Sequence, residues 1–249
     1  MKSRIKPQNN MDELRALALT FLELEPERNE KFPFVVYHPF FETCTVPKIE
    51  ISDNGEKTYG IADIFNEPEE FEKAKERIRE DIIKGDIGTI LCRIVKAYRL
   101  TYLKYAKEFI DKDEFEKLLI EQWIMSENPN QDANISIDEF IKWFSQADRK
   151  NLMNKEEMQY FNNLPDEVNI YRGIAVGRAE QDGLSWTCNY DTAKWFANRF
   201  NHGDKTGYIV KGTIAKKDIF AYLNGRNEDE ILCNSKKIYN VERVSDTDD

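Results

Sequence analysis

The sequence predicts an α+β protein in which a mainly helical N-terminal part is followed by a C-terminal part that contains several strands. Two observations predict this class. Up to about residue 163 most segments repeat apolar residues at helical spacing. After Pro165, short runs rich in β-branched and aromatic residues predominate. We therefore expect two regions, a mainly helical one at residues 1–112 and a C-terminal one at residues 113–249.

The N-terminal region is predicted to contain helices and one small β element. Residues 11–25 carry an apolar stripe at helical spacing, which predicts an amphipathic helix. The turn signal SDNGEK at residues 52–57 lies between two strand-like runs and predicts a β-hairpin or short meander. From residue 69 to about 109 the composition favours two helices, with a break between Gly85 and Gly88.

The C-terminal region begins with three predicted helices. The first, DEFEKLLIEQWIMSE, is expected to have its N-cap at Asp113 or at the residue before it. The second begins after Ser136, with Glu139 three residues on, which is the pattern of a capping box. The third is the short segment NKEEMQYFNNL. Beyond Pro165 we expect strands, with a helix in DTAKWFANRF.

Composition argues against several classes of function. The net charge of −10 over 249 residues argues against duplex nucleic acid as a partner, because phosphate binding needs a basic face. The four cysteines show no CxxC spacing, which is typical of reduced thiols in a cytosolic protein. No run reaches transmembrane length, and no signal peptide is evident. We expect a cytoplasmic site of action, reached directly or after delivery into a host cell, and no membrane partner.

Metal binding is not expected. The chain has only two histidines, His38 and His202, which argues against a histidine-rich metal site. Residues 128–139, NPNQDANISIDE, resemble a calcium-binding EF-hand loop, but Asn128 stands where Asp is usual and Ala133 where Gly is needed for the turn. The favoured interpretation is a polar loop between helices that ends in a helix cap.

Four short motifs after Pro165 carry candidate functional residues. Each also has an ordinary structural explanation: a surface ion pair, a polar strand face, core packing or a solvated strand edge. The motifs are VNIYRGI with Arg172 and Gly173, GLSWT with Ser185 and Thr187, the helix with Phe196 and Arg199, and NEDEILCN with Glu228 and Glu230. Alternation in a strand would place Ser185 and Thr187 on one face, and likewise Glu228 and Glu230.

In this order and spacing the motifs, which span roughly residues 165–240, resemble the mono-ADP-ribosyltransferase family of the Arg-Ser-Glu type, known from bacterial toxins and bacteriophage enzymes. The resemblance implies a catalytic core of two small packed β-sheets with a cleft for the substrate NAD. It implies that Arg172 and Arg199 contact NAD phosphates, that Gly173 and Phe196 contact the nicotinamide, and that Ser185 holds the catalytic glutamate.

The resemblance also implies how the reaction would proceed. Glu230 would bind the 2′-hydroxyl of the nicotinamide ribose and stabilise the positive charge that grows as nicotinamide leaves. Glu228 would orient the acceptor and take its proton, and a glutamate at this position goes with arginine as acceptor. Thr187 would support its strand. The turn after Ala221 would present the acceptor, with Tyr222 or Arg226 touching a protein target.

Some positions depart from the family pattern, and other functions stay open. The middle motif reads Ser-Trp-Thr where Ser-Thr-Ser is commonest, Cys188 has no assigned role, and Asp229 is expected to point away from Glu230. The alternatives are an inactive protein-binding module with the same fold, an NAD glycohydrolase, which uses water as acceptor, and a calcium-responsive helical adaptor built on residues 113–150.

Overall fold

The computed structural model describes residues 9–126, 129, 133–175, 182–199 and 207–244. The chain divides into two compact units, Met1–Asp132 and Ala133–Asp249. We call them the N-terminal and the C-terminal unit. Both combine helices and strands, in agreement with the predicted α+β class.

Helices form most of the described part of the N-terminal unit. Its elements are α1 (Met11–Leu22), β1 (Glu27–Arg28), β2 (Val36–Tyr37), β3 (Thr45–Ile51), β4 (Lys57–Asp63), α2 (Pro68–Lys84), α3 (Ile87–Arg93), α4 (Lys96–Ala106) and α5 (Lys112–Met125). The predicted break near Gly85 is confirmed, because α2 ends at Lys84 and a new N-cap follows at Asp86. The Asp86 side chain accepts a hydrogen bond from the backbone N–H of Thr89, which satisfies a free donor of the first turn.

The predicted hairpin is also confirmed. Strands β3 and β4 pair antiparallel from Thr45↔Asp63 to Ile51↔Lys57. Gly55 closes the turn with φ of +82°, a conformation that glycine adopts without steric cost. Tyr59 and Ile61 on β4 are exposed.

The core of the N-terminal unit forms where α1, α4 and α5 bury their apolar faces. Leu14 and Leu22 of α1 are fully buried, as are Leu103 of α4 and Leu119 of α5. The buried Tyr102 hydroxyl donates to the Leu14 carbonyl at 2.8 Å, so this polar atom is satisfied within the core.

Helix α5 differs from its prediction in two respects. Its N-cap is Asp111, whose side chain accepts from the N–H groups of Asp113 and Glu114, rather than Asp113 or the residue before it. The helix also belongs to the N-terminal unit, because the chain divides after Asp132 and the predicted boundary lies after residue 112.

In the C-terminal unit three helices precede the strands. The elements are α6 (Ile137–Gln146), α7 (Arg149–Leu152), α8 (Lys155–Asn163), β5 (Glu167–Ile174), β6 (Ser185–Thr187), α9 (Tyr190–Asn198), β7 (Tyr208–Ala215), β8 (Ile219–Leu223), β9 (Glu230–Cys233) and β10 (Tyr239–Arg243). The predicted capping box of Ser136 and Glu139 is present at the start of α6. A second box, Asn154 with Glu157, starts α8.

The described strands of the C-terminal unit form one sheet in the order β10-β7-β5-β6-β9-β8. The prediction of two small packed sheets is therefore wrong. The reason lies in β6, which pairs with β9 at three positions but with β5 only at Tyr171↔Thr187. This single pair, which we call the junction, joins a first half-sheet (β10, β7, β5) to a second half-sheet (β6, β9, β8).

Candidate active site

Arg172 and Ser185 meet next to the junction. The Arg172 Nη1 donates a hydrogen bond to the backbone carbonyl of Ser185, across from β5 to β6. Beyond Tyr171 the two strands make no further ladder pair, so the guanidinium group satisfies a carbonyl that a neighbouring strand would otherwise bind. Ser185 thus contributes its carbonyl oxygen here, and the expected contact between its hydroxyl group and Glu230 stays a prediction.

Gly183 makes room for the Arg172 guanidinium, a role that sequence reasoning missed. A Cβ atom at position 183 would lie 2.3 Å from Nη2 and 2.7 Å from Cζ of Arg172. The carbonyl of Gly183 accepts a hydrogen bond from the buried Trp186 Nε1 at 2.9 Å, which fixes the approach to β6. The glycine was visible in GLSWT, but its contact with a side chain eleven residues away depends on the tertiary fold.

Gly173 lies under helix α9. A Cβ atom there would lie 2.1 Å from the Ala193 carbonyl oxygen and 2.5 Å from the Ala197 nitrogen. On this side the missing side chain makes room for the helix backbone. The expected contact of Gly173 with nicotinamide stays a prediction. The same close approach brings the Cβ atom of Phe196 within 2.9 Å of that position. The two residues expected to contact nicotinamide are therefore neighbours.

Helix α9 follows a capping residue, Asn189, and is followed by its C-cap, Arg199. Asn189 accepts a hydrogen bond from the N–H of Thr192 at 3.2 Å and provides the N-cap. At the other end the Arg199 guanidinium lies over the Trp195 ring, 5.1 Å from its centroid. This is the stacked pair that the i, i+4 spacing allows. The contact of Arg199 with a phosphate stays a prediction.

The sequence suggested that Glu228 and Glu230 lie on one face of the same strand, and this is wrong. Strand β9 begins at Glu230, and Asp229 before it has φ of +47°, which interrupts the extended backbone. Nevertheless, both carboxylates come within reach of one guanidinium group. Arg226 Nη2 lies 2.8 Å from Glu228 Oε2 and 3.9 Å from Glu230 Oε2. Glu230 is buried at 7% exposure, whereas Arg226 is much more exposed.

Thr187 fixes the backbone that carries these glutamates. Its hydroxyl group donates to the Glu228 carbonyl at 2.8 Å and accepts from the Asn189 N–H at 3.0 Å. In the ladder, Thr187 also pairs with Glu230. The supporting role expected for Thr187 therefore has a concrete form, a hydrogen bond to the main chain beside the paired acids.

A cluster around Asp229 was missed by sequence reasoning. The Asp229 carboxylate accepts from the Tyr222 hydroxyl at 2.6 Å and from Asn189 Nδ2 at 3.3 Å, so its partners differ from those of Glu228 and Glu230. Tyr222 stacks on Tyr160 with ring centroids 4.0 Å apart. Burial and the bond to Asp229 raise the pKa of Tyr222, so it stays a neutral donor.

Two residues, Tyr222 and Arg226, were expected to touch a protein target. Tyr222 is buried at 3% exposure, which corrects the expectation that it faces a partner. Cys188, which had no assigned role, lies 3.7 Å from the Tyr160 hydroxyl; this hydrogen bond and burial raise the pKa of Tyr160 to about 12. Tyr222 and Cys188 both contact Tyr160, so both have a structural role here.

The electrostatics of the site centre on Arg172. Burial lowers the pKa of its guanidinium, while Cys233, Glu230 and Asp182 act in the opposite direction. Arginine nevertheless keeps its charge, because its ordinary pKa lies far above neutrality. A charge partly removed from water is stabilised by a nearby anionic group.

The described residues contain no group of three or more His, Cys, Asp or Glu side chains placed to hold a metal ion. Of the calcium-like loop, Asn128, Asn130 and Asp132 lie outside the residues that the structure describes. Ser136 and Glu139 are engaged with each other in the capping box. No helix in the described part of the chain has both the length and the apolar character needed to cross a bilayer.

Comparison with known proteins identified no relative. No protein-family model, no curated protein and no solved structure matches the chain.

Proposed function

We propose that this chain is an NAD-dependent mono-ADP-ribosyltransferase that transfers ADP-ribose from NAD to arginine side chains of a protein and releases nicotinamide. One observation carries the proposal. Arg172, Ser185 and Glu230 come from three neighbouring strands, and Arg172 donates a hydrogen bond to the Ser185 carbonyl. The negative charge of Glu230 acts to raise the pKa of Arg172. These are the three residues that define the family which the sequence resembles.

The proposed NAD site uses the residues beside the junction. Arg172 would bind a phosphate of NAD, with Arg199 as a second phosphate contact. Phe196 would pack against the nicotinamide ring, and the neighbouring Gly173 would offer its backbone to the carboxamide. The protein would position a substrate whose leaving group, nicotinamide, already departs readily, so orientation would supply much of the rate enhancement.

The paired glutamates would divide the chemistry. Glu230, buried beside the junction, would hold the ribose 2′-hydroxyl and stabilise the positive charge that develops on the ribose carbon. Glu228 is more accessible and would take a proton from the incoming guanidinium group. Its ion pair with Arg226 supports this assignment, because it shows that the carboxylate can hold a guanidinium group.

Substitution of each glutamate tests the assignment. With NAD and agmatine, a small guanidine, we expect Glu230→Gln to lower nicotinamide release by about 100-fold or more, since a neutral amide cannot stabilise the developing charge. Glu228→Gln should abolish transfer to agmatine and leave hydrolysis of NAD within about 10-fold of wild type, because water needs less help from a base. Mass spectrometry of agmatine and assay of nicotinamide report the two steps separately.

The matched control is Glu242→Gln, at the opposite edge of the sheet on β10, where Glu242 pairs with Lys211. It should behave as wild type. Release of nicotinamide without any transfer by the wild-type chain would favour a glycohydrolase. No release of nicotinamide at all would refute the enzymatic proposal and favour a binding module.

A further inference from the structure

Arg226 occupies a position between the paired acids. Its Nε and Nη2 lie 3.0 Å and 2.8 Å from Glu228 Oε2, and its Nη2 lies 3.9 Å from Glu230 Oε2. The Arg226 side chain is 46% exposed, whereas that of Glu230 is 9% exposed. A guanidinium group therefore reaches from the surface towards the buried carboxylate.

The backbone holds Arg226 in this place. The Asn227 N–H donates to the Asn224 carbonyl at 3.0 Å, which closes a turn with Gly225 and Arg226 at its centre. Asn224 is itself anchored, because its N–H donates to the buried Glu157 Oε1 at 2.9 Å. Asn227 has φ of +56°, a conformation that asparagine tolerates better than most residues. The turn is thus shaped by several contacts around Arg226.

We infer that Arg226 is itself an acceptor of ADP-ribose, so that the chain modifies its own turn. The inference rests on the proposed transferase function and identifies one substrate of the same site. A guanidinium nitrogen of Arg226 would form a bond to C1 of the nicotinamide ribose. The bond from that carbon to nicotinamide breaks and its electron pair leaves on the nicotinamide nitrogen. The proton lost by the guanidinium passes to the Glu228 carboxylate.

The position of Arg226 supports a role as acceptor, because its ion pair with Glu228 would add little to the stability of the fold. Ion pairs at the surface contribute little to stability, and Arg226 is nearly half exposed. The same nitrogen that contacts Glu228 lies 3.9 Å from the carboxylate proposed to hold the ribose. An acceptor tethered at this distance has a high effective concentration and would compete well with free guanidines.

Peptide mapping by mass spectrometry after incubation of the full chain with NAD tests the inference. We expect an ADP-ribose adduct on Arg226, and a rate constant for its formation that is unchanged when the protein is diluted 10-fold, since the reaction is intramolecular. Arg226→Lys should lose this adduct. Arg243→Lys is the matched control, because Arg243 lies on the edge strand β10 against Tyr208, and this variant should keep the adduct on Arg226.

The outcomes separate this inference from the proposed function. Nicotinamide release or agmatine modification without an adduct on Arg226 would overturn the inference and leave the transferase or glycohydrolase activity standing. A rate constant that falls in proportion to dilution would overturn modification within one chain. If the wild-type protein releases no nicotinamide from NAD, the proposed function fails and the inference fails with it.

Discussion

His38 is a buried histidine that stays neutral in the folded protein. Its Nδ1 accepts a hydrogen bond from the Phe40 N–H at 3.0 Å, and its ring contacts those of Phe40 and Phe41. Burial lowers its pKa from 6.5 to about 4. Between these values the unfolded chain binds a proton that the folded chain does not, so the free energy of unfolding must fall as the pH is lowered from about 6.5 to about 4.

Replacement of His38 by Asn removes this titration and keeps an acceptor for Phe40. Between pH 7 and pH 4 the wild-type chain should lose up to about 3 kcal/mol more unfolding free energy than His38→Asn. Denaturant unfolding at several pH values measures the difference, and the comparison cancels the carboxylates that also titrate in this range. Equal losses in the two proteins would show that His38 is protonated equally well in both states.

At the scale of single residues, sequence and structure overlap only in part. Arg172 and Glu230 were predicted because their types and order resemble a family, and the structure places both on strands that pair with β6. Gly183 and Asp229 were not found, because their roles depend on a contact across the fold and on one backbone angle. Neither property leaves a pattern in a single sequence, where glycine and aspartate are ordinary loop residues.

At the scale of elements, the packing of α9 against β5 depends on Gly173. An alanine there would place its Cβ against two backbone atoms of α9, which cannot turn away as a side chain would. We expect Gly173→Ala to lower the free energy of unfolding by about 1–3 kcal/mol, the usual range for overpacking. Gly225→Ala is the control, since a Cβ there meets no atom within 4 Å. It should change stability by less than about 1 kcal/mol.

Denaturant unfolding compares these two variants directly. Equal stabilities for Gly173→Ala and Gly225→Ala would contradict the close packing of α9 on β5. Sequence predicted those features of the elements that depend on neighbouring residues alone. The capping box of α6 and the break before α3 follow from local residues and were predicted, whereas the closeness of α9 to β5 requires knowledge of which elements meet.

At the scale of the whole molecule, the chain consists of two units, each with its own buried residues. Units of this size commonly unfold as separate cooperative blocks. Calorimetry should therefore show two transitions. His38→Asn should shift only the transition of the N-terminal unit and Gly173→Ala only that of the C-terminal unit, each by a few degrees. One transition shifted by both variants would show that the units unfold together.

The sheet of the C-terminal unit marks the limit of prediction at this scale. The strands were predicted from their apolar and β-branched runs, but two separate sheets were expected and one was found. The difference is the one residue pair at the junction, Tyr171↔Thr187. Alternation along each strand says nothing about whether the edges of two half-sheets meet.

The small space at Gly183 offers a way to inactivate the protein while keeping its fold. A methyl group there would meet the far end of the Arg172 side chain and no backbone atom among its nearest neighbours. Under the proposed function, such a protein would keep the surface that its natural targets recognise while its grip on the dinucleotide is weakened. This variant would bind its protein targets without modifying them, so that the bound targets can be isolated and identified.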